Sequence, residues 1–255
     1  MLLVVQLACT SPPQPAPADL GDLAVELFVD FERSERVEEL GVLVLDLPLD
    51  EDLDARSRSL PLLEQPGVDW PEVPADEQVT VAVGAWSQQP LDEHLALVAE
   101  PNQVCIESDS TVSYRRQHLD EACLDQGCER VDTMNEVRKE SFVASVWYDL
   151  HKQHRLLELS DGRRAMLARS WIAQSFPAEE EGYSWDQFAT LELWVEESGR
   201  TLRWQAVWSS VQLGVVGPEL YLATVQGAVD QGFHNADAFV DGQLCANDRD
   251  AEYIR

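Results

Sequence analysis

The sequence predicts an α+β fold: a curved antiparallel β-sheet packed on a long C-terminal helix, preceded by a smaller β-α-β-α part. Three observations predict it. From residue 103 onward, strand-like stretches are separated by tight turn signals, and connections that short make neighbouring strands antiparallel. After the last of them, Leu222, Val225, Val229, Phe233, Ala236 and Val240 recur at helical spacing. Before residue 102, strand-like and helix-like segments alternate instead. Three regions follow: 1–22, an apolar start and a Pro-rich tether; 23–101, the smaller α/β part; and 102–255, the antiparallel sheet with its C-terminal helix.

In chain order, residues 23–32 (LAVELFVDFE) show a period of two, with Leu23, Val25, Leu27, Val29 and Phe31 on one side, which predicts a half-buried strand. Ser34 can cap a following helix that carries Val37, Leu40 and Val44 on one face, although the apolar run Val42–Leu47 reads equally as a strand. Residues 48–78 are acidic and Pro-rich and read as a long irregular connection. Val79, Val81, Val83 and Ala85 mark a second strand. Pro90 opens a short helix that Pro101 closes, since a first-turn proline loses no hydrogen bond. Strands are expected over 103–116, 129–141, 142–150, 154–160, 163–174, 188–196 and 201–211. Ser160-Asp161-Gly162-Arg163 predicts a two-residue type I′ hairpin, and Glu197-Ser198-Gly199-Arg200 a further hairpin. Gly217-Pro218-Glu219 starts the last helix and Gly242 caps it. At ~1.5 Å per residue, about 24 residues span ~36 Å, enough to cross the sheet.

The chain has 255 residues and a formal net charge of −29. A surface this negative repels phosphate backbones and anionic membranes, so nucleic acid is not expected as a partner. Residues 101–170 are relatively basic and hold ten of the 18 Lys and Arg residues. Lys139 and Lys152 are the only lysines. Adaptation to salt and GC-rich codon usage both account for that composition. No apolar run reaches the ~18 residues of a transmembrane helix, which excludes a polytopic membrane protein.

The first residues, MLLVVQLA, lead into Cys9 and then the tract TSPPQPAPADLGD. This start resembles the lipobox and tether of bacterial lipoproteins. The resemblance implies signal cleavage before Cys9, lipidation of Cys9, and an exported protein anchored by lipid to the envelope. Thr10, in place of Asp, implies sorting to an outer membrane. The start departs from that pattern in its shortness, in the lack of a preceding Lys or Arg, and in Gln6 where Leu is usual. Cys105, Cys123, Cys128 and Cys245 then remain, an even number that an oxidising compartment would join as two disulfides. Cys123–Cys128 and Cys105–Cys245 are the favoured pairs. A zinc knuckle at Cys123-x4-Cys128 is the competing reading.

Motifs for a nucleophile elbow, dinucleotide or phosphate loop, zincin or CxxC are absent from the sequence. No catalytic residue and no cofactor is therefore assigned, and the reading favours a non-enzymatic protein. Asp149, His151 and His154 are the most metal-like group, but a strand turns His154 away from the other two. In the basic segment, arginines interleaved with acids read as cross-strand pairs or as a pocket for an anion. Arg138 and Arg169 are the candidates for that pocket. Trp204 and Trp208 share one face of their strand and read as core or as the lining of a ligand cavity. Trp194 falls on a polar face beside Glu192 and Glu196.

The element order of the second half is loosely similar to the helix-grip fold of START and Bet v 1-type proteins. That resemblance implies an apolar ligand held between sheet and helix, with Trp204, Trp208, Arg138 and Arg169 as candidate contacts. Two functions stand side by side: a lipid-anchored envelope protein with a binding or structural role and an envelope protein as partner, or a helix-grip carrier of, or enzyme acting on, a small apolar ligand. A cavity between sheet and helix discriminates them.

Overall fold

The computed structural model describes residues 17, 20–46, 78–100, 103–118, 129–140, 145–177, 183–213 and 217–242. Cys9, Cys123, Cys128, Cys245 and the acidic connection after residue 46 lie outside the described residues.

The expected strand over 23–32 is a helix. Helix α1 spans Leu20–Val29 and α2 spans Ser34–Asp46. Alternation accounts for five of the apolar residues but leaves Ala24 and Phe28 on the wrong side. A 3.6-residue repeat puts Leu23, Ala24, Leu27, Phe28 and Phe31 together, and all five are fully buried. Val29, which alternation would bury, is exposed.

Strand β1 (Gln78–Ser87) and helix α3 (Leu91–Ala99) follow, with Pro90 as the extended N-cap of α3. The strand expected from residue 103 begins late. Residues 104–106 form a turn, and β2 runs over Thr111–His118. The Gln103 side chain fixes that turn by donating to Leu97 O (3.0 Å) and Glu100 O (2.5 Å) at the end of α3. Then come β3 (Arg130–Glu140), β4 (Ser145–Glu158), β5 (Arg164–Trp171), the two-residue β6 (Phe176–Pro177), β7 (Tyr183–Glu197) and β8 (Arg200–Leu213). The two strands expected over 142–150 and 154–160 are one continuous β4.

The β7–β8 hairpin turns through Ser198 (φ 53°) and Gly199 (φ 79°), the pair of left-handed residues a type I′ turn needs. The β4–β5 hairpin differs from expectation. Only Gly162 is left-handed (φ 87°), Gly162 N–H bonds Leu159 O, and Leu159 N–H bonds Arg163 O. The loop is therefore three residues with glycine closing it, rather than a two-residue type I′ turn.

The strands form one antiparallel sheet in the order β1-β8-β7-β5-β4-β3-β2, with β6 beside β7. β1 pairs with β8 along its whole length, so the first hundred residues contribute an edge strand to the same sheet. Helix α4 (Pro218–Val240) closes the chain, with Gly217 as N-cap and Gly242 left-handed just after it, as the sequence predicts. α1 and α2 cover one face of the sheet, and α4 with α3 covers the other.

Candidate functional site

A cavity of about 270 Å³ lies between the inner face of the sheet and α4. Strand alternation decides which side chains line it. β4 contributes Val146, Tyr148, Leu150, Lys152 and His154, and β7 contributes Phe188, Thr190, Glu192 and Trp194. Between them, β5 presents Ala168 and Ser170 on that face. Their small side chains let Lys152 and Glu192 reach across β5 and meet at 2.6 Å. The roof is α4, where Thr224, Ala228 and Gly232 repeat every four residues. Small residues down the middle of the helix leave the space open.

One end of the cavity is aromatic. Tyr148 stacks on Phe176 (centroids 4.7 Å apart) and Phe176 stacks on Trp185 (5.7 Å). Tyr221 of α4 shares a hydrogen bond with Ser209 (2.7 Å) and accepts one from Trp185 Nε1 (3.3 Å), which ties the roof to β7 and β8. Burial holds the Tyr148 and Tyr221 hydroxyls above the ordinary tyrosine pKa, so both stay neutral.

The other end is polar. Arg116 is buried and donates to Val98 O (2.8 Å), Leu97 O (3.4 Å) and Asn135 Oδ1 (3.2 Å). It caps the C-terminus of α3, where the helix dipole is negative. Asn135 is held in turn by donating to Leu150 O (2.9 Å). Burial alone would lower the Lys152 pKa, but the Glu192 carboxylate overcomes it and holds the ammonium above its ordinary value. Tyr114 is buried, which raises its pKa, and the Arg116 guanidinium lies 5.7 Å from the centre of its ring.

Two latches hold the roof. Arg203 pairs with Asp237 (2.9 Å) and donates to Phe233 O (2.9 Å), while Ser87 donates to Asp237 (2.7 Å). On the far side, Asn235 donates to Glu107 O (2.7 Å), and Gln231 accepts from Asp109 N (2.9 Å). Cys105 lies in the turn so clamped.

None of the four ligand contacts expected from the sequence lines this cavity. Trp204 and Trp208 are on the opposite face, where Phe28 of α1 meets Trp208 edge-on at 5.6 Å. Arg169 is on that face too. It donates to Phe28 O (3.0 Å), pairs with Glu32 (3.1 Å), and lies over the Phe31 ring, so it anchors α1. Arg138 pairs with Glu140 (2.6 Å) and covers the exposed Trp147. The physical reason is register: Leu202, Trp204, Ala206 and Trp208 point to α1 and α2, so Arg203, Gln205 and Val207 point to α4. Asp149 and His151 share a face of β4 and His154 points to the cavity. Among the described residues no group of three His, Cys, Asp or Glu side chains could hold a metal.

No family model matches the sequence, and no curated protein matches it. Solved structures do. The chain is similar to a STAR-related lipid transfer protein (fragment 25–204) from Xanthomonas axonopodis, with 10% identity, 76% of this chain and 98% of that chain covered, and a TM-score of 0.50. The fold is a helix grip. The human StarD13 lipid transfer and protein localization domain (12% identity, 63% and 76% covered, TM-score 0.37) and the Zhui aromatase/cyclase of a Streptomyces species (11%, 67% and 98%, 0.40) are more distant. At these identities the likeness establishes the fold alone, and it rests on the first of the three.

Proposed function

We propose that this protein binds one small hydrophobic molecule between the sheet and α4 and acts as its carrier. The observation that carries this reading is the cavity of about 270 Å³, walled by aromatic and aliphatic side chains. A sheet–helix interface filled by side chains would have favoured a purely structural role instead. A mostly apolar, concave site with a few placed polar groups is the usual form of a small-molecule site. The names of the helix-grip relatives, lipid transfer and aromatase/cyclase, agree with the reading by analogy only.

A naphthalene-sulfonate dye tests it. The wild type is expected to bind the dye saturably at one site. Ala228→Trp, which fills the cavity from the roof, is expected to abolish binding while leaving the melting temperature within about 4 °C. Undiminished dye binding by Ala228→Trp would rule out this cavity as the site.

The carrier is proposed to work at the cell envelope, tethered through a lipidated Cys9, with Cys105–Cys245 and Cys123–Cys128 as its disulfides. The lipobox-like start supports this, as does the even number of cysteines left beside Cys9. Mass spectrometry of the mature protein is expected to show a chain beginning at an acylated Cys9. An unprocessed, unacylated chain recovered from the native host would remove the envelope assignment.

A further inference from the structure

Among the described residues, five charged side chains line the cavity: Arg116, Lys139, Lys152, Glu107 and Glu192. Four of them are paired. Lys152 meets Glu192 at 2.6 Å, and Lys139 meets Glu107 at 3.9 Å. Arg116 is left over. Its described partners are the neutral oxygens of Val98, Leu97 and Asn135, and no ion pair among the described residues involves it. Arg116, Lys152 and Glu107 all act on the Tyr114 hydroxyl, and Glu107 acts on Tyr148 as well. The end of a helix compensates only about half a charge. So the described lining of the cavity carries an excess positive charge inside a protein whose formal charge is −29.

A buried charge without a counter-charge is costly, and a ligand that supplies one gains that difference on binding. Size restricts the ligand further. A cavity of about 270 Å³ is just below the ~300 Å³ at which pockets for drug-sized molecules begin. One acyl chain or one small ring system fits, and a two-chain lipid does not.

We infer that the ligand is a compact monoanionic amphiphile of the medium-chain carboxylate type, its head beside Arg116 and its apolar body toward the Tyr148–Phe176–Trp185 stack. This rests on the binding reading above and adds the ligand's charge, size and direction. The carboxylate would pair with the Arg116 guanidinium, whose bonds to Val98 O and Leu97 O hold it in place.

Calorimetric titration at neutral pH with decanoate, methyl decanoate and vesicles of a two-chain phosphatidylcholine tests it on the full chain. Decanoate is expected to bind at least about tenfold more tightly than its methyl ester, with no extraction of the two-chain lipid. Arg116→Gln is expected to bring acid and ester within about threefold of each other without weakening the ester. If Arg116→Gln fails to fold, the comparison of acid and ester on the wild type decides alone. An ester that binds as tightly as the acid, or extraction of the two-chain lipid, overturns this inference and leaves hydrophobic binding standing. Failure of all three to bind, together with no dye binding, overturns both.

Discussion

The two faces of the sheet come from the same strands yet hold opposite contents. On β7, Leu191, Leu193 and Val195 point outward under α1 and α2, while Thr190, Glu192 and Trp194 point inward under α4. The helices differ in the same sense. α1 and the turn after it bring Leu23, Leu27, Phe28 and Phe31 to their face, all fully buried, whereas the middle of α4 sets Thr224, Ala228 and Gly232 beside Val225, Val229 and Phe233. Large side chains against large side chains give a solid layer; small ones against a floor interrupted by polar groups leave a hollow. One face therefore carries the stability and the other is free to carry a ligand.

Truncating one tryptophan on each face should separate these roles most sharply. Trp208 is fully buried in the solid layer, so Trp208→Ala leaves a cavity and is expected to cost about 4 kcal/mol in denaturant unfolding, with little change in dye affinity per folded molecule. Trp194 already borders empty space, and Trp194→Ala is expected to cost about half as much while altering dye binding. Equal losses would mean that the inner face is as tightly packed as the outer.

The polar floor offers the next largest effect. Lys152 and Glu192 are both largely buried and hold each other. Lys152→Met strands the Glu192 carboxylate and is expected to cost about 3 kcal/mol, the lower end for a broken buried pair because the cavity admits water. Replacing both, with Lys152→Met and Glu192→Leu, is expected to restore most of that loss, since a well-packed apolar pair often equals a buried ion pair. Urea unfolding of the single and double variants checks this. No recovery in the double variant would show that the pair contributes more than mutual compensation.

The same contrast explains what the sequence reveals. The solid layer on the sheet is legible wherever one face is apolar throughout, as with Leu202, Trp204, Ala206 and Trp208. The last helix is legible because Gly217-Pro218 and Gly242 punctuate a clean helical repeat. The cavity floor is not legible, because a buried polar residue on a strand reads as a solvated one. Glu192 and Trp194 look like an exposed face, and the run His151-Lys152-Gln153-His154 splits β4 into two expected strands. Arg116 gives no local signal either, since its partners are carbonyls of a helix 18 residues earlier. The retrievable hint was Lys152, one of two lysines in the chain, placed in the middle of an alternating strand. α1 is hidden for a different reason: five apolar residues fit a period of two, and only Ala24 and Phe28 distinguish a helix.

The smallest expected effect concerns the latch between roof and sheet, and it is read through pH. His94 of α3 is fully buried, edge-on to Trp194 (5.1 Å) and 3.8 Å from the Asp237 carboxylate that Arg203 and Ser87 already hold. Burial, reinforced by the charge of Arg203, lowers its pKa from 6.5 to about 4. The folded protein therefore keeps His94 neutral where the unfolded chain would protonate it. Stability from this residue is complete above pH 6.5 and falls as pH drops toward 4, because the unfolded state then binds the extra proton. At pH 5 the loss is expected to be about 2 kcal/mol relative to pH 8. His94→Phe keeps a ring against Trp194 and removes the titration, so its stability profile between pH 8 and 5 should be flatter than that of the wild type by the same amount. Parallel profiles would place the acid sensitivity elsewhere, and would mean that the latch on α4 holds without reference to the charge of His94.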